Sequence, residues 1–144
     1  MNRDALIAQL IQHEGQRSKA YQDSRGIWTI GVGHNLEANP ISDMATHQIL
    51  ADDITEVEGR LDLNLPWWRS LSEVRQRVLA DMCFNLGIGK LLGFNNTLAA
   101  IANGRYSDAA ALMLQSTWAA QVGKRAKRLS RMMESDKEVS LLEV

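Results

Sequence analysis

One cysteine, Cys83, stands in the whole chain, so no intramolecular disulfide can form and nothing points to a disulfide-stapled secreted scaffold. Only two prolines interrupt 144 residues, which leaves most of the chain open to helix. No apolar run is long enough to span a bilayer, so no transmembrane segment is expected. A signal-peptide core is missing too, because Asp4, Gln9, Gln12 and His13 break up the first apolar positions, and the expectation is a chain made and folded in the cytoplasm. Three scattered histidines and one cysteine give no metal-ligand spacing, and no metal or cofactor is expected. Gly89-Lys90 is followed by Leu91 rather than Ser or Thr, so it is no phosphate loop, and no serine sits in a nucleophile elbow.

What is present is an ordinary globular composition, 45% hydrophobic and 23% charged, in a chain long enough for one domain with a real core. The net charge of −1 implies no polyanion partner overall, yet residues 1–62 carry net −5 and residues 63–144 net +4. The densest basic stretch is Lys124-Arg125-Ala126-Lys127-Arg128 with Arg131. Such a run attracts anionic wall polymer, lipid or nucleic acid, or is simply a solvated helix face. Interleaved aromatics are absent, which argues against single-stranded nucleic acid, and no nucleic-acid partner is expected.

Helical periodicity dominates. Leu6, Ile7, Leu10 and Ile11 recur at helical spacing after the candidate caps Asn2 and Asp4, and Gly15 is a candidate left-handed C-cap. Lys19 to Gln22 and Ile27 to Val32 read as short strands around the turn Asp23-Ser24-Arg25-Gly26. Ser42 to Leu61 reads as one long helix with an apolar stripe of Ile49, Leu50, Ile54, Val57 and Leu61. Further helices are predicted over 72–86, 97–103, 107–114 and 118–133, with Gly123 a candidate break in the last. Trp67, Trp68 and Trp118 read as packing anchors, and Cys83 as a core residue. There is no internal repeat, low-complexity tract or linker.

Chemistry concentrates between Glu14 and Thr29. Glu14 ends a helix, where the macrodipole is negative and a carboxyl group holds its proton more readily. Asp23 sits at a hairpin mouth, a polar turn in which a carboxylate stays charged, and Thr29 on the returning strand would hold a water beside it. One protonated and one ionised carboxyl group are what glycosidic hydrolysis uses. Taken singly, Glu14 is also a surface acid, Asp23 a turn former and Thr29 a β-branched strand residue, and spacing alone leaves both readings open. Gly31 and Gly33 would keep the backbone open to a ligand beside His34.

The chain resembles the phage-type lysozymes, glycoside hydrolase family 24. The resemblance is carried by Glu14 with Asp23 and Thr29, by Thr29-Ile30-Gly31-Val32-Gly33-His34 and by Phe84-Asn85-Leu86-Gly87. It continues through Gly93-Phe94-Asn95-Asn96-Thr97-Leu98, Ala109-Ala110, Ser116-Thr117-Trp118 and Arg125-Ala126-Lys127-Arg128. These matches run in the family's order from about Leu10 to Arg128.

The resemblance implies an α+β, mostly helical, two-lobed lysozyme-like fold. It has an N-terminal β-hairpin lobe over about 15–41, a connecting helix over about 42–62 and a helical C-terminal lobe over about 63–144, on which helix 2–14 packs. It implies a monomeric endolysin-like muramidase that cuts the β-1,4 bond between N-acetylmuramic acid and N-acetylglucosamine in peptidoglycan, reaching the periplasmic wall through a holin-type pore. Glu14 would be the general acid, and Asp23 and Thr29 would hold the attacking water, with inversion. Gly31, Phe84, Asn85 and Thr97 would touch substrate. Arg125 would face Glu14 and favour its ionised form, opposing the helix-end effect, and His34 would pair with Asp53 in a structural role. Two positions depart from the family pattern: Asn35 replaces a leucine after the histidine, and Leu112 replaces a substrate-contacting asparagine. The short stretch from Asn39 to Ser42 predicts a reduced N-terminal lobe. The competing reading is a non-hydrolytic module that retains the fold to bind glycan or a partner.

Overall fold

The computed structural model describes residues 1–144. Helix α1, Arg3–Glu14, starts where the sequence places a cap: the Asn2 side-chain oxygen accepts the Ala5 N–H at 3.0 Å. It stops at Gly15, whose φ of 75° and ψ of 168° are not the left-handed helical cap anticipated. This is an extended conformation of positive φ, almost exclusive to glycine, and it turns the chain directly into a strand.

A three-stranded antiparallel sheet follows in the order β1 (Arg17–Gln22), β2 (Trp28–Gly31), β3 (His34–Asn35). β2 is central, with Thr29 opposite Tyr21 on one side and Asn35 on the other. The register slips between Arg17 and Tyr21, because β1 advances from Arg17 to Tyr21 while β2 moves only from Gly31 to Thr29. Such a bulge bends its strand. The Arg17 guanidinium lies over the Tyr21 ring, 4.3 Å from the centroid. β3 has no counterpart in the sequence reading, since two residues are too few to show alternation.

Helix α2, Asp43–Asn64, starts after Ser42, whose hydroxyl accepts the Ala45 N–H. It runs three residues beyond the predicted Leu61 end. The chain forms two compact units, 1–49 and 50–144, and the division falls inside this helix.

In the second unit a 3-10 turn, Pro66–Ser70, leads to α3 (Glu73–Leu86), α4 (Ile88–Leu92), α5 (Asn95–Ala102), α6 (Tyr106–Leu114), α7 (Thr117–Val122) and α8 (Lys124–Ser135), and a second 3-10 turn spans Leu141–Glu143. Leu61, Val78, Leu79, Met82, Leu91, Ile101, Met113 and Met133 are fully buried and form its core with Cys83, Trp68 and Trp118. The indoles of Trp68 and Trp118 each donate to a polar partner, Asp62 and Asn85, both at 2.7 Å. Phe94 meets Trp118 edge to face, ring centroids 6.2 Å apart. Gly123 ends α7 with φ 54° and ψ −110°, so the single helix predicted over 118–133 is two. No helix of the molecule is long and apolar enough to cross a membrane.

The basic stretch of α8 is largely a staple. Arg125 pairs with Asp81 at 2.7 Å, Arg128 donates to the Val139 carbonyl and to Glu138, and Arg131 reaches the Glu143 carbonyl. Glu138 is also held by Arg77 of α3, and the two guanidinium groups hold its carboxyl below the usual carboxylate range.

Candidate active site

Glu14, Asp23, Thr29, Gly31 and His34 all belong to the first unit, where the end of α1, the hairpin turn and strand β2 carry them. Glu14 is the last residue of α1, and it is exposed. Its side chain lies over the backbone of Gly33, just before β3: a Cβ added at Gly33 would stand 2.8 Å from Glu14 Oε2 and 3.0 Å from its Cδ.

Asp23 is built into the hairpin turn from both of its chain atoms and its side chain. Its N–H donates to the Ile27 carbonyl and its carbonyl accepts from Gly26 N–H, each at 2.9 Å. Its Oδ1 accepts two further backbone donors, Arg25 N–H at 2.8 Å and Ile27 N–H at 2.9 Å. The turn-former reading and the functional reading therefore fall on different oxygens of one carboxylate. Oδ1 fixes the loop and the orientation of the group, which leaves Oδ2 to receive a donor from outside the chain. Gly26, at φ 77°, supplies the backbone bend the turn requires.

Thr29, on central strand β2, is the only buried residue of the first 49. Its hydroxyl donates to the Ile27 carbonyl at 2.9 Å. With the proton so committed, the oxygen keeps its lone pairs as acceptors, so a water held there would donate to Thr29. Ile27 thus ties the two groups together, because its N–H meets Asp23 and its carbonyl meets Thr29.

The partner found for His34 is the Asn39 carbonyl, 2.8 Å from Nε2, where the resemblance implied Asp53. The short segment after β3 folds back on itself, with Asn39 N–H bonded to the Asn35 carbonyl, which brings residue 39 within reach of the ring. Asn35, the departure from the family pattern, caps this loop: its Oδ1 accepts from Glu37 and Ala38 N–H, both at 3.0 Å. A leucine could accept neither.

The remaining predicted residues, Asp53, Phe84, Asn85, Thr97 and Arg125, lie in the second unit. Asn85, near the end of α3, accepts the Trp118 indole N–H. Thr97 is buried in α5 and, with Leu112 and Trp118, lines a groove of about 680 Å³ whose rim carries Asn95, Asn96 and Gln121. Leu112 gives that groove an apolar wall where the family pattern has an amide. Phe84 is half exposed and shares with Arg125 a pocket of about 460 Å³ with an apolar floor. Asp53 and Phe84 share a smaller pocket of about 290 Å³ beside Cys83. Arg125 is engaged by Asp81 through Nε, a partner that sequence reasoning missed because the two residues are 44 positions apart.

The model of the phage lysozyme family matches residues 11–135. Probable T4-type lysozyme 1 of Dictyostelium discoideum is 24% identical, over 85% of this chain and 89% of its own length. An endolysin of Acyrthosiphon pisum secondary endosymbiont phage 1 is 30% identical, over 92% of this chain and 90% of its own. The pre-baseplate central spike protein of Enterobacteria phage T4 is 27% identical over 90% of this chain, which spans only 27% of that much longer relative. With the family's pattern extending from within α1 to the last residue of α8, the chain belongs to the phage lysozyme family of glycoside hydrolases.

Proposed function

We propose that this protein is a peptidoglycan muramidase that hydrolyses the β-1,4 bond between N-acetylmuramic acid and N-acetylglucosamine with inversion, in an endolysin role. Glu14 donates a proton to the leaving oxygen. Asp23 Oδ2 and the Thr29 hydroxyl oxygen hold the attacking water, Asp23 taking its proton as the new bond forms. The observation that carries the reading is the division of labour at Asp23: one oxygen spent on the turn, the other left as an oriented acceptor on the same turn-and-strand element as Thr29. Inversion requires the two carboxyl groups to stand about 6.5–9.5 Å apart, leaving room for that water.

Gly31, Phe84, Asn85 and Thr97 contact substrate in this reading, while Arg125, His34 and Asp53 support the site. The protein acts as a monomer and reaches the wall through a holin-type pore opened by another protein. The competing reading, a glycan-binding module without turnover, draws on Leu112, an apolar residue in the groove beside Thr97.

The deciding experiment digests purified, lipid-free peptidoglycan with wild type and Glu14→Gln and identifies the released muropeptides by mass spectrometry. Wild type is expected to release products ending in reducing N-acetylmuramic acid, and Glu14→Gln to be slower by about 10²–10⁴-fold, the contribution of a general acid. Undiminished release by Glu14→Gln refutes the assignment. Anhydro-sugar ends would instead identify a lytic transglycosylase, and no release by wild type would favour the binding module.

A further inference from the structure

We infer that Gly33 is a positioning residue for the Glu14 carboxyl group, and that it must be glycine to leave room for that carboxyl as well as to satisfy the backbone. The inference rests on the reading of Glu14 as the general acid. Seven glycines have positive φ, and at six of them an added Cβ would meet nothing within 4 Å. At Gly33 alone among the seven it would meet a neighbour, and the three nearest atoms all belong to Glu14: Oε2 at 2.8 Å, Cδ at 3.0 Å and Cγ at 3.1 Å. Gly31, at nearly the same φ across the same turn, faces open space, so conformation explains Gly31 but only half explains Gly33.

The atoms in the way are the far end of a flexible side chain. A methyl group at position 33 therefore need not shift the sheet; it shifts the carboxyl. Restoring an ordinary contact of 3.4 Å from 2.8 Å moves Oε2 by about 0.6 Å, away from β3. Displacements of about 1 Å in catalytic geometry cost as much as about 10²-fold in rate. The turn backbone just before His34 thus acts as a flat backstop that limits where the acid can stand. Glu14 stands at the end of a helix, exposed and with several rotatable bonds.

The test pairs Gly33→Ala with Gly104→Ala, a glycine of similar φ (63° and 73°) whose Cβ position is open and which lies outside the site. Both substitutions strain the backbone and lower the melting temperature. Below both transitions, Gly33→Ala is expected to release soluble muropeptides from saturating lipid-free peptidoglycan about 10–100-fold more slowly than wild type. Half-saturation should be little changed, and the acid-dependent limb of the pH–rate profile should be displaced. Gly104→Ala keeps the wild-type rate and profile. Equal rates and profiles for the two variants overturn the inference.

A second measurement needs no substitution at position 33. In the wild type the Gly33 Cα and Hα resonances should show a pH-dependent step that disappears in Glu14→Gln, and the absence of that step also overturns the inference. Failure of the underlying reading looks different: Glu14→Gln would then keep its activity. An inactive Glu14→Gln beside a fully active Gly33→Ala removes only the positioning role.

Discussion

Replacing Asp23 by alanine and by asparagine separates the two tasks of its carboxylate. Oδ1 accepts the N–H groups of Arg25 and Ile27, at 2.8 and 2.9 Å, and asparagine can keep a carbonyl oxygen at that point while removing the charge. Alanine removes both. Each backbone bond to such an acceptor is worth about 1 kcal/mol net, so Asp23→Ala should cost about 2 kcal/mol and Asp23→Asn about 0.5 kcal/mol. In a chain of this length 1 kcal/mol moves the melting temperature by about 2–4 °C, which predicts a fall of about 4–8 °C for alanine and under about 2 °C for asparagine. Both variants should lose about 10²–10⁴-fold in muropeptide release, because neither can take a proton from water. Thermal denaturation followed by circular dichroism reads the first pair of numbers. Amide exchange at Arg25 and Ile27 locates the loss, with faster exchange expected in the alanine variant alone. Equal melting of the two variants would refute the assignment of Oδ1 to the turn. Wild-type turnover by Asp23→Asn would reduce Asp23 to a turn former.

Two further predictions concern the second unit. At the negative end of α8 Arg75 donates to the carbonyls of Met133 and Glu134 at 2.8 and 3.1 Å and pairs with Asp136 at 3.5 Å, and its guanidinium lies 3.6 Å from the ring centroid of Tyr106 in α6. Arg75→Met should therefore cost about 3 kcal/mol, whereas Arg60→Met, which removes an exposed pair within α2, should cost under about 0.5 kcal/mol; equal urea midpoints would refute the capping role. The carboxyl of Glu138 is held low by Arg77 and Arg128, so the ion pairs contribute stability that is present above the ordinary carboxylate range and lost as pH falls through the native-state value. The stability gap between wild type and Glu138→Gln should be widest near neutral pH and close in acid, and a gap independent of pH would contradict it.

Local signals were legible where one short stretch of chain decides the structure. Asn2 and Ser42 start helices as their side chains dictate, Gly123 breaks one, and the turn at Asp23 to Gly26 forms where its residue types call for it. The catalytic candidates were readable for the same reason, since Glu14, Asp23 and Thr29 lie within sixteen residues of one another. What escaped is decided at a distance. Helix α4 carries Gly89 in its interior and has only five residues, so propensity opposes it; the complete burial of Leu91 in the core selects it. Asp81 gives no local sign that it will hold Arg125, and the basic run of α8 looks like a free surface until Asp81, Glu138 and Val139 are seen against it. The contact of Gly33 with Glu14 links a helix end to the turn before β3, a strand too short for periodicity to detect.

The bonds between α3 and the segment around the end of α8 also set a schedule for synthesis. Arg75 is made 58 residues before Met133, and Arg77 61 residues before Glu138. At about 5–20 residues per second, that interval is roughly 3–12 s on the ribosome. Throughout it the nascent α3 exposes two guanidinium groups, and Val78, Leu79 and Met82 lack the later-made members of the core they share, among them Met132 and Met133. The first unit, whose hairpin pairs lie at most 14 positions apart, has a much shorter wait. All the partners of the hairpin are therefore made well before the helical unit can close, and it is over α3 during those seconds that a chaperone would have something to bind.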